Sequence, residues 1–208
     1  MKLRISLFTI ILAASVLLTG SMEAQVADYG LANGILSFEE SSFPVHCSKG
    51  SGISISSEHS KLGQKSLKWD WRKEEAYISI KGEIPYLPEN PDPKETSVAS
   101  FVFWMYSPDY IDSSVRFSFL KDGKECCHFI YDLGYQGWRG SWVGFDRDMQ
   151  GQAEIGMDEV RIYAPKGIKK GTLFFDGIIT SSFQDVRYHT PDWHAPYVNE
   201  KTTIHWLI

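Results

Sequence analysis

The residues of this chain best suited to act on a polar ligand lie in one short segment, Gly137-Trp138-Arg139-Gly140-Ser141-Trp142-Val143-Gly144. Aromatic faces beside small residues form platforms on which sugar rings stack, and a guanidinium can fork onto a sulfate or carboxylate. Trp138, Arg139 and Trp142 are therefore the candidate carbohydrate-binding residues. Strand alternation divides them. Trp138, Gly140, Trp142 and Gly144 share one face, while Arg139, Ser141, Val143 and Phe145 share the other. The tryptophans and Arg139 thus cannot grip one ligand together from this strand. The tryptophan pair equally suits packing in or at the edge of the core, because Trp is usually mostly buried and the glycines admit bulky cross-strand partners.

Other constellations divide in the same way. In Lys68-Trp69-Asp70-Trp71-Arg72 the tryptophans share a face that points to a core. Lys68, Asp70 and Arg72 share the other face. With Lys61, Lys65 and Lys73 they form either a basic rim for a sulfated glycan or an ordinary solvated face. The three lysines of 166–171 have the spacing of a soluble loop. Glu125-Cys126-Cys127-His128 contains metal-ligand types. A strand, however, turns Cys126 and His128 one way and Cys127 the other, short of the three or four ligands zinc takes. No nucleophile elbow, P-loop or dinucleotide fingerprint occurs, so no catalytic residue is assigned.

The elements that would position these residues are strands. Segments 35–40, 51–58, 65–71, 97–107, 114–123, 126–133, 137–145, 158–165 and 171–182 alternate or are rich in β-formers, as is Ala76–Gly82. Gly, Pro, Asn and Asp punctuate them, and no window carries the helical i, i+3, i+4, i+7 pattern. Ala99–Tyr106 is nearly unbroken apolar, as a strand covered on both faces should be. Residues 83–96 hold four prolines and read as a loop or sheet rim. About ten short antiparallel strands predict an all-β fold, a jelly-roll β-sandwich rather than a small closed barrel.

Residues 1–24 read as a secretory signal peptide: Lys2 and Arg4 precede an apolar run from Ile5 to about Leu18, with cleavage after Ala24. The remainder is expected to be secreted or periplasmic, with no membrane span, since no later segment approaches about 20 apolar residues. Removing residues 1–24 takes the net charge from −5 to about −6. An acidic field of this kind gives no attraction to nucleic acid. Cys47, Cys126 and Cys127 make an odd count. Adjacent Cys126 and Cys127 cannot bridge each other without strain; one of them pairs with Cys47, or all three are small buried hydrophobes.

Several ordered segments resemble one family: 56–71, 101–107, 137–151, 157–167, 171–188 and 191–199, together with Phe38-Glu39-Glu40. The chain resembles the N-terminal domain of the chondroitin sulfate ABC lyases. The resemblance implies a jelly-roll domain like those of carbohydrate-binding modules over residues 25–188. A linker over 189–208, ending on Trp206-Leu207-Ile208, would lead to a catalytic domain in the same parent chain. It implies glycosaminoglycan (chondroitin or dermatan sulfate) as the parent's partner. The His, Tyr, Arg and Glu of its β-elimination would lie in a helical domain outside this sequence, leaving a non-catalytic accessory domain. The alternative is a free-standing secreted carbohydrate-binding module. The resemblance also implies one structural cation, Ca²⁺ or similar. Its ligands would be the Glu39 and Asp176 carboxylates and the carbonyls of Ser37, Lys65 and Lys68, which with waters approach the six to eight oxygens calcium takes.

Overall fold

Alternation along the apolar segments builds two antiparallel sheets in a computed structural model, which describes residues 35–39, 44–92, 94 and 97–183. The signal segment, the linker of 189–208 and the apolar end at Trp206–Ile208 lie outside the described residues. The strands are β1 (Val45–Cys47), β2 (Ser51–Ser56), β3 (Ser66–Trp71), β4 (Tyr77–Lys81), β5 (Ser100–Ser107), β6 (Ser114–Lys121), β7 (Lys124–Asp132), β8 (Gly137–Gly144), β9 (Gln150–Gly151), β10 (Glu159–Tyr163) and β11 (Gly171–Ser182). A single helical turn, α1 (Phe145–Asp148), follows β8. One sheet runs β1-β4-β10-β6-β7-β9 and the other β2-β3-β11-β5-β8. The fold is the expected β-sandwich.

The two sheets meet through the residues that alternation turns inward. From β5 come Phe101, Phe103 and Met105, from β6 Phe117 and Phe119, from β7 Phe129 and Tyr131, and from β3 Leu67, Trp69 and Trp71. Phe117 stacks on Phe129 with ring centroids 4.5 Å apart, and Phe103 meets Tyr131 edge-on. Trp71 donates its Nε1–H to the Ile168 carbonyl at 3.0 Å, so its burial leaves no polar atom stranded. The Lys-Trp-Asp-Trp segment therefore does face its tryptophans inward. β5 is covered on both sides, as its unbroken apolar run demands, because Val102 and Trp104 pack on the outer face.

Three local expectations change. Residues 35–40 do not form a strand among the described residues; Leu36 makes a single bridge to Ile178, and Phe38 at φ 60° turns the chain out of the ladder. Cys47 cannot pair with Cys126 or Cys127: β1 and β7 are separated by β4, β10 and β6, about 19 Å across the sheet. All three thiols are free, and Cys127 alone among them is buried. The alternation assumed for Glu125–His128 is also interrupted. Glu125 pairs with Leu120 and Cys127 with Phe119, so Cys126 is the extra residue of a β-bulge.

Candidate functional site

The outer face of the five-stranded sheet gathers most of the candidate residues, and strand register fixes their order. One row across all five strands reads Ser54, Lys68, Phe174, Tyr106, Trp138. The next places Asp176 beside Trp104 and Gly140, and a third places Ile179 beside Val102 and Trp142. These outward residues form a second apolar layer. Trp104, Trp138 and Phe174 cluster with Tyr106, and Val102 and Ile179 cluster with Trp142. Trp138 is 3% exposed, so it packs as one expectation held, but within this outer layer rather than between the sheets. Gly140 is required there: a Cβ would stand 2.9 Å from the Trp104 ring.

The connection between β2 and β3 lies across this face. His59 stacks on Tyr106 with centroids 3.8 Å apart, and the Lys61 ammonium sits 4.2 Å from the Trp104 ring centre. Lys68 bonds Glu58 at 2.9 Å and lies over Phe174. The backbone N–H groups of Lys61 and Leu62 donate to Asp176 Oδ2 at 2.7 and 2.8 Å. His59, Trp104 and Tyr106 were not singled out from sequence, and Lys61 was read only as part of a basic rim or solvated face. For the pair on β5 the signal was present, since alternation in Val102–Tyr106 puts both rings on Val102's face; the loop's fold-back left no comparable trace.

Asp176 is fully buried. Alternation from Phe174 turns its carboxylate outward beneath the loop, and the bulge at Gly177 (φ 55°) shifts only the residues after it, so that Ile178 faces inward and Ile179 outward. Burial pushes the Asp176 pKa up to about 7, against three backbone N–H donors that favour the anion; Glu39 adds to the rise. Glu39 Oε1 accepts the N–H groups of Gln64 and Lys65, each at 2.8 Å, and its carbonyl accepts Lys65 Nζ at 2.9 Å. Gly63 lets the chain wrap this carboxylate, because a Cβ there would meet Oε1 at 2.5 Å. Among the described residues no group of three or more His, Cys, Asp or Glu gathers for a metal. The set that the resemblance implies comes together in part, since Lys68 lies in the ladder between Ser54 and Phe174. It has two carboxylates that feel each other's charge, one of them buried, and Ser37 and Lys65 carbonyls that accept no hydrogen bond among the described residues.

Arg139 stands on the opposite side of β8. Its guanidinium carbon lies 5.4 Å from the Tyr131 ring centre and 5.5 Å from that of Tyr135, at the edge of the space between the sheets. Tyr135 donates its hydroxyl to the Met105 carbonyl at 3.3 Å. Burial pushes the Tyr131 hydroxyl up to about 12, with Arg139 acting against the rise. Arg139 and the two tryptophans thus serve different surfaces. In the Glu125–His128 segment, His128 Nδ1 lies 3.0 Å from Glu125, which also holds Arg116.

The family described as "Lyase, N terminal" matches residues 32–197. This chain belongs to that family. Over 176 residues it is 38% identical to a chondroitin sulfate ABC exolyase of Bacteroides thetaiotaomicron, covering 84% of this chain and 17% of that protein. It is 37% identical over 148 residues to a chondroitin sulfate ABC exolyase of Proteus vulgaris, covering 71% of this chain and 14% of that protein. The domain therefore spans about a sixth of the length of the curated relatives it matches. Solved structures with related shape include an exo-β-agarase (TM-score 0.49, 14% identity, 70% of this chain, 24% of that one). A xylan-binding domain of carbohydrate-binding module family 22 aligns with TM-score 0.45 and 11% identity, over 74% of this chain and 96% of that one. The sandwich assignment rests on the sheet pairing itself. No helix among the described residues is long and apolar enough to cross a membrane.

Proposed function

We propose that this domain is a non-catalytic accessory domain of an exported chondroitin sulfate lyase, where it helps hold the polysaccharide or braces the catalytic domain. The observation that carries the reading is the family match over 32–197. In the proposed parent reaction, the proton α to the uronate carboxylate is removed and the 4-linked sugar is expelled. The new non-reducing end is an unsaturated uronate. Those steps belong to residues outside this domain. Deleting residues 35–183 from the parent lyase should raise KM for polymeric chondroitin sulfate or lower its unfolding midpoint, while kcat on short oligosaccharides persists. Loss of kcat with both other properties intact would contradict an accessory role.

We also propose that the Glu39 and Asp176 carboxylates, with carbonyls of Ser37, Lys65 and Lys68, hold one structural cation of the calcium type. Such an ion would neutralise two carboxylates and tie the 57–65 loop to the sheet, stabilising the fold without taking part in chemistry. Added Ca²⁺ at about a hundredfold over its Kd would contribute about 2.7 kcal/mol of stability. The thermal midpoint should therefore rise with Ca²⁺, fall with chelator, and stop responding in Asp176→Asn. A midpoint indifferent to Ca²⁺ would remove the site.

A further inference from the structure

β8 is the edge strand of the five-stranded sheet, and its inward side, opposite β7, carries the half-buried Arg139 and Ser141. Arg116, Arg147 and Arg161 each hold a carboxylate, on Glu125, Asp148 and Glu159. The Arg139 guanidinium makes neither a hydrogen bond nor an ion pair among the described residues; its contacts are the faces of Tyr131 and Tyr135. Asp132, near in sequence, turns its carboxylate to the Gly134 N–H instead. Two tyrosine rings hold the cation in place and remove the entropy cost of ordering it, yet leave its forked donors unfilled.

A second group beside it is also unsatisfied. Tyr131 is 8% exposed, and its hydroxyl, with under 1 Å² accessible, has no hydrogen-bond partner among the described residues. Ser141 approaches this hydroxyl, but no bond of ordinary geometry joins them. A buried donor left unpaired costs about 1–3 kcal/mol. That penalty, borne next to an unpaired guanidinium, points to an incoming acceptor that satisfies both.

We infer that Arg139, with the hydroxyls of Tyr131 and Ser141, forms a binding site for a tetrahedral or planar oxyanion, the sulfate or carboxylate group of a glycosaminoglycan chain. The anionic group takes the guanidinium fork from the solvent side, while the two hydroxyls donate from deeper in the edge. The site itself follows from the local chemistry. Assigning its anion to a glycan rests on the accessory-domain reading above. The aromatic layer of the five-stranded sheet takes no part, being on the other side of β8.

The test titrates the chain with inorganic sulfate, a chondroitin sulfate oligosaccharide and its chemically desulfated counterpart. Calorimetry gives affinities, and the Arg139 Nε–H resonance, assigned by its loss in Arg139→Lys, reports the site. The sulfated oligosaccharide should shift that resonance. Arg139→Ala should weaken its binding at least about tenfold, and Tyr131→Phe, which keeps the ring and the fold, about threefold. The desulfated chain should shift the resonance less if sulfate is the group held, and equally if carboxylate is; either result supports the site. A shift with inorganic sulfate but none with either oligosaccharide would overturn the glycan assignment. Unchanged oligosaccharide affinity in Arg139→Ala would overturn the site while leaving the accessory role standing. A resonance that responds to none of the three would also overturn the site.

Discussion

Asp176 shows how a single buried group couples the loop to the sheet. Its carboxylate accepts three backbone N–H groups, two of them from the loop that covers the aromatic face. Its folded pKa, raised to about 7 mainly by burial, lies above the ordinary value of 3.8. Between those values the folded state binds a proton that the unfolded chain has released, so stability falls as pH rises. In chelator, the free energy of unfolding should be greatest below about pH 4 as far as this group is concerned, and should decline by up to about 4 kcal/mol by pH 8. Urea denaturation across that range checks it. Asp176→Asn should flatten the dependence, and an unchanged slope in that variant would assign it to other groups. Trp138 shows the converse. Its type and neighbours suggested a stacking platform, but at 3% exposure it packs under Tyr106 and beside Trp104.

At the scale of elements, β5 and β8 explain why alternation was informative and where it stopped. Reading every second residue correctly separated Arg139 from the tryptophans and turned Trp69 and Trp71 inward. It could not say what covers the outward face, because the 57–65 loop reaches it through contacts with β5 and β11, remote in sequence. The close approach of β8 to the Trp104 ring depends on Gly140. Gly140→Ala should cost about 1–3 kcal/mol of stability as the ring is displaced, measured by denaturant unfolding. A neutral effect would mean the outer layer is looser than its burial indicates. Two bulges escaped the sequence reading. One at Gly177 turns Ile178 inward and Ile179 outward, and one at Cys126 breaks the Glu125–His128 alternation. A bulge adds one residue without changing composition, so periodicity over a short strand does not register it. The failed Cys47 pairing has a similar origin, since strand order, not sequence, places β1 and β7 far apart.

For the whole molecule, two sheets with apolar inward faces and a second apolar layer outside the smaller sheet make a rigid platform. Its distinct surfaces include an aromatic face covered by a loop and an edge with an arginine that has no carboxylate partner among the described residues. The sandwich was legible because ten or so short amphipathic strands without helical periodicity admit few architectures. The family was legible through its ordered motifs, which the match over 32–197 bears out. The central claim is that this domain assists a chondroitin lyase without performing the elimination. Ultraviolet absorbance of unsaturated uronate, followed while the chain alone is incubated with chondroitin sulfate, tests it most directly. The account predicts a flat trace at every protein concentration; absorbance that grows in proportion to the amount of chain added would contradict it.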